Sequence, residues 1–324
     1  MVMRQSLNQG IERIKGENQF EMKKKQLKKY IPFYIMAIPA VLYMVINNYL
    51  PMFGMVIAFK NLDFRKGILG SSWAGLSNFK YLFVTKDAFV MTRNTLLYNL
   101  AIIILGIVFG LAVAILLNEI VKKTVLSAYQ SLMLIPYLMS WVIINYLVYA
   151  LLASDTGLIN NSILNRLGIE PITWYSTPKY WPFILVFISI WKNMGFNMIL
   201  YYSSIVGIST DYFEAAKIDG ASKWQQIKSI TLPLLKPTAI TLLILNVGRI
   251  FYSDFGLFYQ IPRNSGMLYN VTRTIDTYVY NALMNNADYA MSSAASVYQS
   301  IVGFVMIMAA NGLIKKISPD DTLF

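Results

Sequence analysis

Six apolar segments divide this chain, and each is close to the length that crosses a lipid bilayer. About 20 consecutive apolar residues span the hydrocarbon core as an α-helix. A helix is favoured there because it satisfies its own backbone hydrogen bonds where water is absent. The pattern predicts an all-α membrane protein with six core transmembrane helices. They are expected near residues 31–57, 93–117, 131–152, 181–205, 237–262 and 291–314.

The composition supports this prediction and removes several kinds of chemistry. Charged residues make up 14% of the chain, which is about half the usual fraction of a soluble domain. The sequence has no Cys and no His, so it offers neither thiolate ligands nor the commonest catalytic base. It also has no Gly-x-x-x-x-Gly-Lys-Ser/Thr loop for ATP phosphates. We therefore expect no catalytic residues, no metal site and no cofactor bound by this chain.

The basic residues indicate how the chain is oriented. The net charge is +12, and Lys and Arg are concentrated in residues 1–30 and in alternate predicted loops. Cytoplasmic loops of membrane proteins carry this excess, so both termini and the loop at 209–236 are predicted to face the cytoplasm. The location expected is a bacterial plasma (inner) membrane. The distribution of the charge points to membrane lipid as its partner and not to nucleic acid.

Three parts are predicted along the chain. Residues 1–30 form a basic cytoplasmic segment, residues 31–317 the transmembrane domain, and residues 318–324 a cytoplasmic tail. The first segment fits either a short interfacial helix or a disordered tail. It is not expected to be a signal peptide, because its basic region is too long and no small-residue cleavage site follows.

The polar stretch at 209–236 interrupts two strongly apolar runs and is predicted to form a helix-turn-helix. Asp211, with Glu214 three residues later, fits the start of the first helix. Gly220 suits the left-handed residue that follows a helix end.

The second helix of this stretch also has start and stop signals. Ser222 and Gln225 form a second capping pattern. Pro233 is expected to stop that helix, and Pro237 to open the next one.

The same stretch resembles the EAA loop of binding-protein-dependent ABC importer permeases, which belong to the type I ABC importer kind. The resemblance implies that the loop is a cytoplasmic coupling loop docked in a groove of an ATPase subunit. The residues that it assigns to coupling are Glu214, Ala215, Ala216, Asp219, Gly220, Ile230, Leu232 and Pro233.

Softer matches at 49–54, 73–79, 93–96, 191–196 and 275–278 resemble the branch of permeases that import complex carbohydrates. This branch implies an oligosaccharide cargo, with alginate-type importers among the candidates. The family implies further partners: a second homologous permease subunit, two ATPase subunits that bind ATP and Mg, and an extracytoplasmic solute-binding protein. The implied mechanism is alternating access.

Polar residues within the predicted spans are candidates for the substrate pathway, because charged groups at that depth are costly when they face lipid. They are Lys192, Asn193, Arg249 and Asp254. One interpretation is that the two cations line a cavity and select an acidic sugar of the uronate, alginate or pectin type. The other is that Lys192 and Arg249 pair internally, with Asp254 or with helix carbonyls.

Two other functions stay open from the residues alone. An ion-driven secondary sugar transporter would have inverted repeats with broken helices, and a membrane-embedded enzyme would have acid/base pairs in its spans. Neither signal is evident in the sequence. Aromatic residues at 174, 175, 180 and 181 are interpreted as an interfacial belt in preference to sugar platforms.

Overall fold

The computed structural model describes residues 29–317. The chain divides into two compact units, of which one ends at Val56 and the other begins at Ile57. The predicted tail at 318–324, and the basic segment at 1–30 except for its last two residues, lie outside the described residues.

Helices account for most of the described chain. We number the longer ones α1 to α9 in chain order. They are α1 (Lys29–Phe59), α2 (Lys86–Asn118), α3 (Lys123–Leu138), α4 (Trp141–Leu152), α5 (Trp181–Val206), α6 (Thr210–Ile218), α7 (Lys223–Val247), α8 (Ile275–Asn286) and α9 (Tyr289–Ile317).

Short helical turns and a two-stranded ladder make up the connections. The strands β1 (Lys60–Asn61) and β2 (Ser72–Trp73) pair antiparallel, with Lys60 opposite Trp73. The all-α prediction is therefore right apart from this small ladder. The turns are Gly67–Gly70, Ser77–Phe79, Tyr81–Val84, Ile159–Leu164, Asn165–Leu167, Trp174–Ser176, Pro178–Tyr180, Gly256–Gln260, Gly266–Leu268 and Tyr269–Thr272.

Within residues 29–317, five helices are long and apolar enough to cross a membrane, and a bent pair brings the number to six. This agrees with the six predicted spans, but the third is not one straight helix. It consists of α3 and α4, which meet at an angle of 95°. Pro136 lies in the last turn of α3. Ser140 caps the start of α4 by accepting a hydrogen bond from the Ile143 amide, so the sequence itself encodes the break.

The fifth span departs from the predicted 237–262. Helix α7 begins at Lys223 and ends at Val247, and the chain beyond it is irregular up to a wide π turn at Gly256–Gln260. Pro233 does not stop the helix, contrary to the prediction. The π turn at Ile227–Thr231 precedes it, and the Leu232 amide bonds to the carbonyl of Ile227 five residues back. This shifted register accommodates a proline that lacks an amide hydrogen.

Two glycine contacts set the packing of the helices around α5. Gly106 and Gly110 on α2 face Asn197 of α5, and a Cβ added at Gly110 would lie 3.0 Å from the Cβ of Asn197. A Cβ at Gly195 would overlap the backbone of Met133 in α3. Small residues at such crossings allow close approach of helix backbones, and α5 therefore packs tightly against both α2 and α3.

Candidate functional site

A cavity of about 370 Å³ lies beside α5, within the membrane-spanning part of the fold. Its volume is within the range of small-molecule sites. The lining combines apolar side chains with amides, two phenols, a serine hydroxyl, a cation and a carboxylate. The polar members are Asn99, Tyr137, Ser189, Asn193, Asn197, Tyr201, Asn246, Arg249 and Asp254.

Arg249 and Asp254 are the charged residues of this lining. Arg249 follows the end of α7 and is exposed to the cavity. No ion pair joins its guanidinium to a carboxylate among residues 29–317. Asp254 accepts hydrogen bonds from the Trp141 indole at 3.0 Å and from the Leu257 amide at 3.3 Å. The carboxylate is thus held by neutral donors, and the guanidinium keeps its donors available.

Lys192 does not line this cavity. It is buried at 7% exposure and is not among the residues that line the cavity. Its ammonium donates to the carbonyl oxygens of Pro136, Tyr137 and Met139 at 3.2, 2.9 and 2.6 Å. It also lies 5.1 Å from the centroid of the Trp141 ring. These contacts agree with the second interpretation from the sequence, in which Lys192 pairs internally with helix carbonyls.

The remaining predicted pathway residue, Asn193, does line the cavity. Its amide donates to the carbonyl of Ser189 at 2.9 Å, which leaves its oxygen free to accept.

Several amides in the lining were missed from the sequence. Asn197 lies one helical turn after Asn193 on α5, so these two share a helix face. Asn246 lies in the last turn of α7, three residues before Arg249. Asparagines inside apolar spans at this spacing are the signal that would have found them. Asn99, on α2, donates to the carbonyls of Ile250 and Tyr252 at 2.7 and 2.9 Å and fixes the irregular chain after α7.

The predicted coupling loop forms two helices joined by a tight turn. Gly220 adopts a φ of 79°, as expected for a left-handed residue after a helix. The capping box of Ser222 and Gln225 is present. The cap of the first helix was predicted wrongly: Ser209 is the N-cap, and its hydroxyl accepts from the Asp211 amide at 3.3 Å. Asp211 instead lies in the first turn, where its negative charge interacts favourably with the positive end of the helix dipole.

The surface of this loop is unusually apolar for a polar sequence. Ile218 and Trp224 are 86% and 69% exposed, and Tyr212 is exposed as well. Glu214, Ala215 and Asp219 are also on the surface, whereas Ala216, Ile230 and Leu232 are partly buried. A cluster of exposed apolar side chains with polar neighbours is typical of a protein-binding surface. Ile218 and Trp224 were not among the residues predicted for coupling.

An ion pair connects the loop to the membrane helices. Lys223 Nζ lies 2.7 Å from Glu119 Oε2, immediately after the end of α2. Both side chains are largely exposed, so the pair adds little stability. It is a contact between the start of α7 and the end of α2.

Comparison with known proteins gives a consistent set of similarities. The sequence profile of the family described as "Binding-protein-dependent transport system inner membrane component" matches residues 106–319. The polygalacturonan/rhamnogalacturonan transport system permease protein YteP of Bacillus subtilis is 35% identical, over 91% of this chain and 92% of that protein. The trehalose/maltose transport system permease protein MalF of Thermococcus litoralis is 30% identical, over 85% of this chain and 90% of that protein.

A solved structure resembles the fold closely. The crystal structure of a bacterial ABC transporter involved in the import of the acidic polysaccharide alginate contains a chain that superposes with a TM-score of 0.83. That chain is 29% identical, and the match covers 91% of this chain and 98% of the other. A second structure of a bacterial alginate ABC transporter, in complex with an alginate pentasaccharide-bound periplasmic protein, gives a TM-score of 0.82.

Proposed function

This chain belongs to the family of binding-protein-dependent transport system inner membrane components, and from that premise we propose that it is the permease subunit of an ATP-driven importer of acidic oligosaccharides. As a member of this family it is a multi-span membrane protein whose role is transport and not catalysis. The observation that carries the cargo proposal is Arg249, a guanidinium without an acidic partner in a cavity lined by amides and hydroxyls.

The chemistry of the cavity fits a sugar acid. A guanidinium binds a carboxylate through two parallel N–H donors. Asn193, Asn197 and Asn246 can exchange hydrogen bonds with sugar hydroxyls, and the Asp254 carboxylate can accept from them. The single cation keeps the site weak, and a transported molecule must also be released. One relative named as a permease for polygalacturonan/rhamnogalacturonan, and the similarity to an importer of alginate, support uronate-containing cargo.

Lys192 does not enter this proposal as a cargo ligand. Its ammonium is occupied by three carbonyl oxygens at the junction of α3 and α4. It acts on the cavity indirectly, because Tyr137 and Trp141 beside it position the wall and the Asp254 carboxylate.

The coupling loop supports the assembly that the family implies. We assign Glu214, Asp219, Gly220 and the exposed Ile218 and Trp224 to the surface that docks on an ATPase subunit. Two such ATPases, which bind ATP and Mg, and a second homologous permease complete the transporter in this proposal. An extracytoplasmic solute-binding protein delivers the cargo. Movement of the docked loop as a rigid unit turns the cavity outward and inward by alternating access.

The proposed orientation places the coupling loop and both termini in the cytoplasm. The distribution of Lys and Arg supports it. Helix α5 is 26 residues long, so it separates its two ends by about 39 Å at 1.5 Å per residue. Its last residue, Val206, leads into the coupling loop, and its first residue, Trp181, therefore lies at the outer end.

Purification through an affinity tag on this chain tests the proposal. We expect an ATPase to co-purify, and we expect its ATP hydrolysis to rise when cargo-loaded binding protein is added. An ion-driven secondary transporter is the competing function. Uptake that persists without ATP and stops when the ion gradient is collapsed would establish that alternative and reject ours.

A further inference from the structure

A second cavity, of about 440 Å³, opens at the outer end of the fold. It lies between the end of α4, the turn at Trp174–Ser176 and the turn that precedes Gly266. We call it the outer cavity. It shares no lining residue with the cavity beside α5. Tyr175 was interpreted from the sequence as part of an interfacial aromatic belt, and its place in this lining gives it a different role. The lining residues on which the argument rests are Tyr149, Asp155, Thr156, Tyr175, Arg263 and Ser265.

Arg263 supplies the cation of the outer cavity. It is exposed, and its guanidinium lies 4.1 Å from the centroid of the Tyr149 ring. Across residues 29–317, it forms neither an ion pair nor a side-chain hydrogen bond to a protein acceptor. A stacked guanidinium keeps its planar edge of N–H donors free. The side chain is therefore held in place while its hydrogen-bonding capacity is unused.

The backbone that carries Arg263 is strained. Arg263 and Asn264 have φ values of 57° and 48°, in the left-handed region that non-glycine residues rarely adopt. The Asn264 side chain holds this conformation by accepting from Asn281 at 3.2 Å and from the Tyr269 hydroxyl at 3.1 Å. Strain of this kind is retained where the surrounding contacts fix it, and it is concentrated at functional sites.

Tyr175, whose ring lies 5.7 Å from that of Tyr149, adds an unused hydroxyl to this wall. Its oxygen is buried and has no hydrogen-bond partner among the described residues. Its backbone carbonyl accepts from Ser265 at 3.1 Å, which ties this wall to the strained turn. Burial raises the pKa of the Tyr175 hydroxyl to about 12, so it stays a neutral donor at physiological pH. A buried hydroxyl without a partner is costly, and a ligand that reached it from the cavity would satisfy it.

We propose that the outer cavity binds one uronate residue of the cargo, with the carboxylate on Arg263 and the sugar ring against Tyr149 and Tyr175. This deepens the proposed function and rests on it, because it adds an outer subsite for the same class of sugar. Asp155 also lines the cavity and forms no ion pair in the described part of the chain. It accepts from sugar hydroxyls, and its charge opposes a dianion such as phosphate. A monoanionic sugar therefore fits the charges of the cavity better than a phosphate does.

The absence of Cys from the sequence allows a site-specific test. Thr156 lines the outer cavity and is exposed, so a Thr156→Cys variant reports on its occupancy. The assay measures the rate at which a membrane-impermeant maleimide labels this cysteine in the purified complex. The probes are trigalacturonate and its uncharged methyl ester. We expect trigalacturonate to protect the cysteine and the ester to protect it at least tenfold less well.

Two further substitutions identify the residues that bind the probe. In the Arg263→Met background, the concentration of trigalacturonate that gives half protection should rise at least tenfold. Lys179→Met is the matched control, because it removes an exposed cation on the same face outside the cavity, and protection should be unchanged. Tyr175→Phe removes only the unpaired hydroxyl and should weaken protection a few-fold without unfolding. It keeps the test valid if Arg263→Met folds poorly.

A second reporter and an uptake measurement separate the possible failures. Asn285→Cys, exposed on α8 and outside the cavity, should not be protected by either probe. Equal protection by acid and ester, protection unchanged in Arg263→Met, or no protection at all would overturn the outer subsite. If the same complex still imports trigalacturonate, the proposed function survives that result. If it imports no oligosaccharide, the proposed function fails as well.

Discussion

Lys192 Nζ donates a 2.6 Å hydrogen bond to the carbonyl oxygen of Met139, the residue that immediately follows α3. Two further carbonyls of the last turn, those of Pro136 and Tyr137, accept from the same ammonium. Carbonyls at a helix C-terminus have no partners within the helix, and a cation there interacts favourably with the negative end of the helix dipole. One lysine thus completes the end of α3 at the point where the span bends by 95°.

The first prediction is that Lys192→Met destabilises the protein more than it alters cargo selection. The change removes the ammonium donor from the carbonyls of Tyr137 and Met139, at a cost of up to about 1–3 kcal/mol per group. The Pro136 carbonyl keeps the Met139 amide as a donor. We expect a melting temperature in detergent several degrees below that of wild type. Arg249→Met is the matched control and should melt near the wild-type temperature. An unchanged melting temperature combined with selective loss of acidic cargo would instead return Lys192 to the substrate pathway.

The second prediction concerns the turn of the coupling loop. A Cβ at Gly220 meets no atom within 4 Å, so a substitution there acts only through the φ of 79°. Gly220→Val is strained by this conformation, whereas Gly220→Asn tolerates it. We expect Gly220→Val, combined with Glu214→Ala, to lose stimulation of the partner ATPase by loaded binding protein, and Gly220→Asn to retain it. Normal coupled hydrolysis in the double variant would contradict a docking role for the loop.

The third prediction concerns the contact that orients Asp254. A Cβ added at Gly256 would overlap the indole of Trp141, which donates to the Asp254 carboxylate at 3.0 Å. Gly256→Ala should therefore displace the indole and lower both thermal stability and uptake. Gly312→Ala is the control, since nothing lies within 4 Å of that position, and alanine in a helix is favoured over glycine by about 0.5–1 kcal/mol. Equal melting temperatures for the two variants would show that the predicted overlap is relieved without cost.

The fourth prediction is the orientation of the loops in the membrane. Reporters fused after Ser222 should be active only in the cytoplasm, because that loop carries the basic residues of the coupling region. Reporters fused near Asn161 or Asn285 should be active only outside. A cytoplasmic signal at Asn161 would be incompatible with six spans and cytoplasmic termini.

The sequence was sufficient to predict the elements that depend on local chemistry. Apolar length identified the spans, Gly220 the left-handed turn, and Ser222 with Gln225 the capping box. Errors arose where several local signals compete. Ser209 precedes Asp211 as a cap, and the π turn before Pro233 lets α7 continue through a residue that usually ends a helix.

The lining of the cavity could be predicted only in part, because it depends on which helix faces meet. Asn193, Arg249 and Asp254 were found as polar residues inside apolar spans. The role of Lys192 was undecided, since the carbonyls that it binds belong to α3, more than 50 residues earlier in the chain. The outer cavity could not be located from the sequence, because the φ values of Arg263 and Asn264 follow from side-chain contacts to distant residues.

The most direct test of the account is ATP-driven uptake of trigalacturonate and its methyl ester by proteoliposomes that contain the complex purified through this chain. Wild type should import the acid in preference to the ester. Arg249→Met should lower kcat/KM for the acid at least tenfold, as expected when a charge-assisted pair worth about 1.5–3 kcal/mol is lost, and change uptake of the ester less than twofold. Lys179→Met should match wild type. Equal import of acid and ester by wild type, or an Arg249→Met variant that transports both as wild type does, would contradict the account.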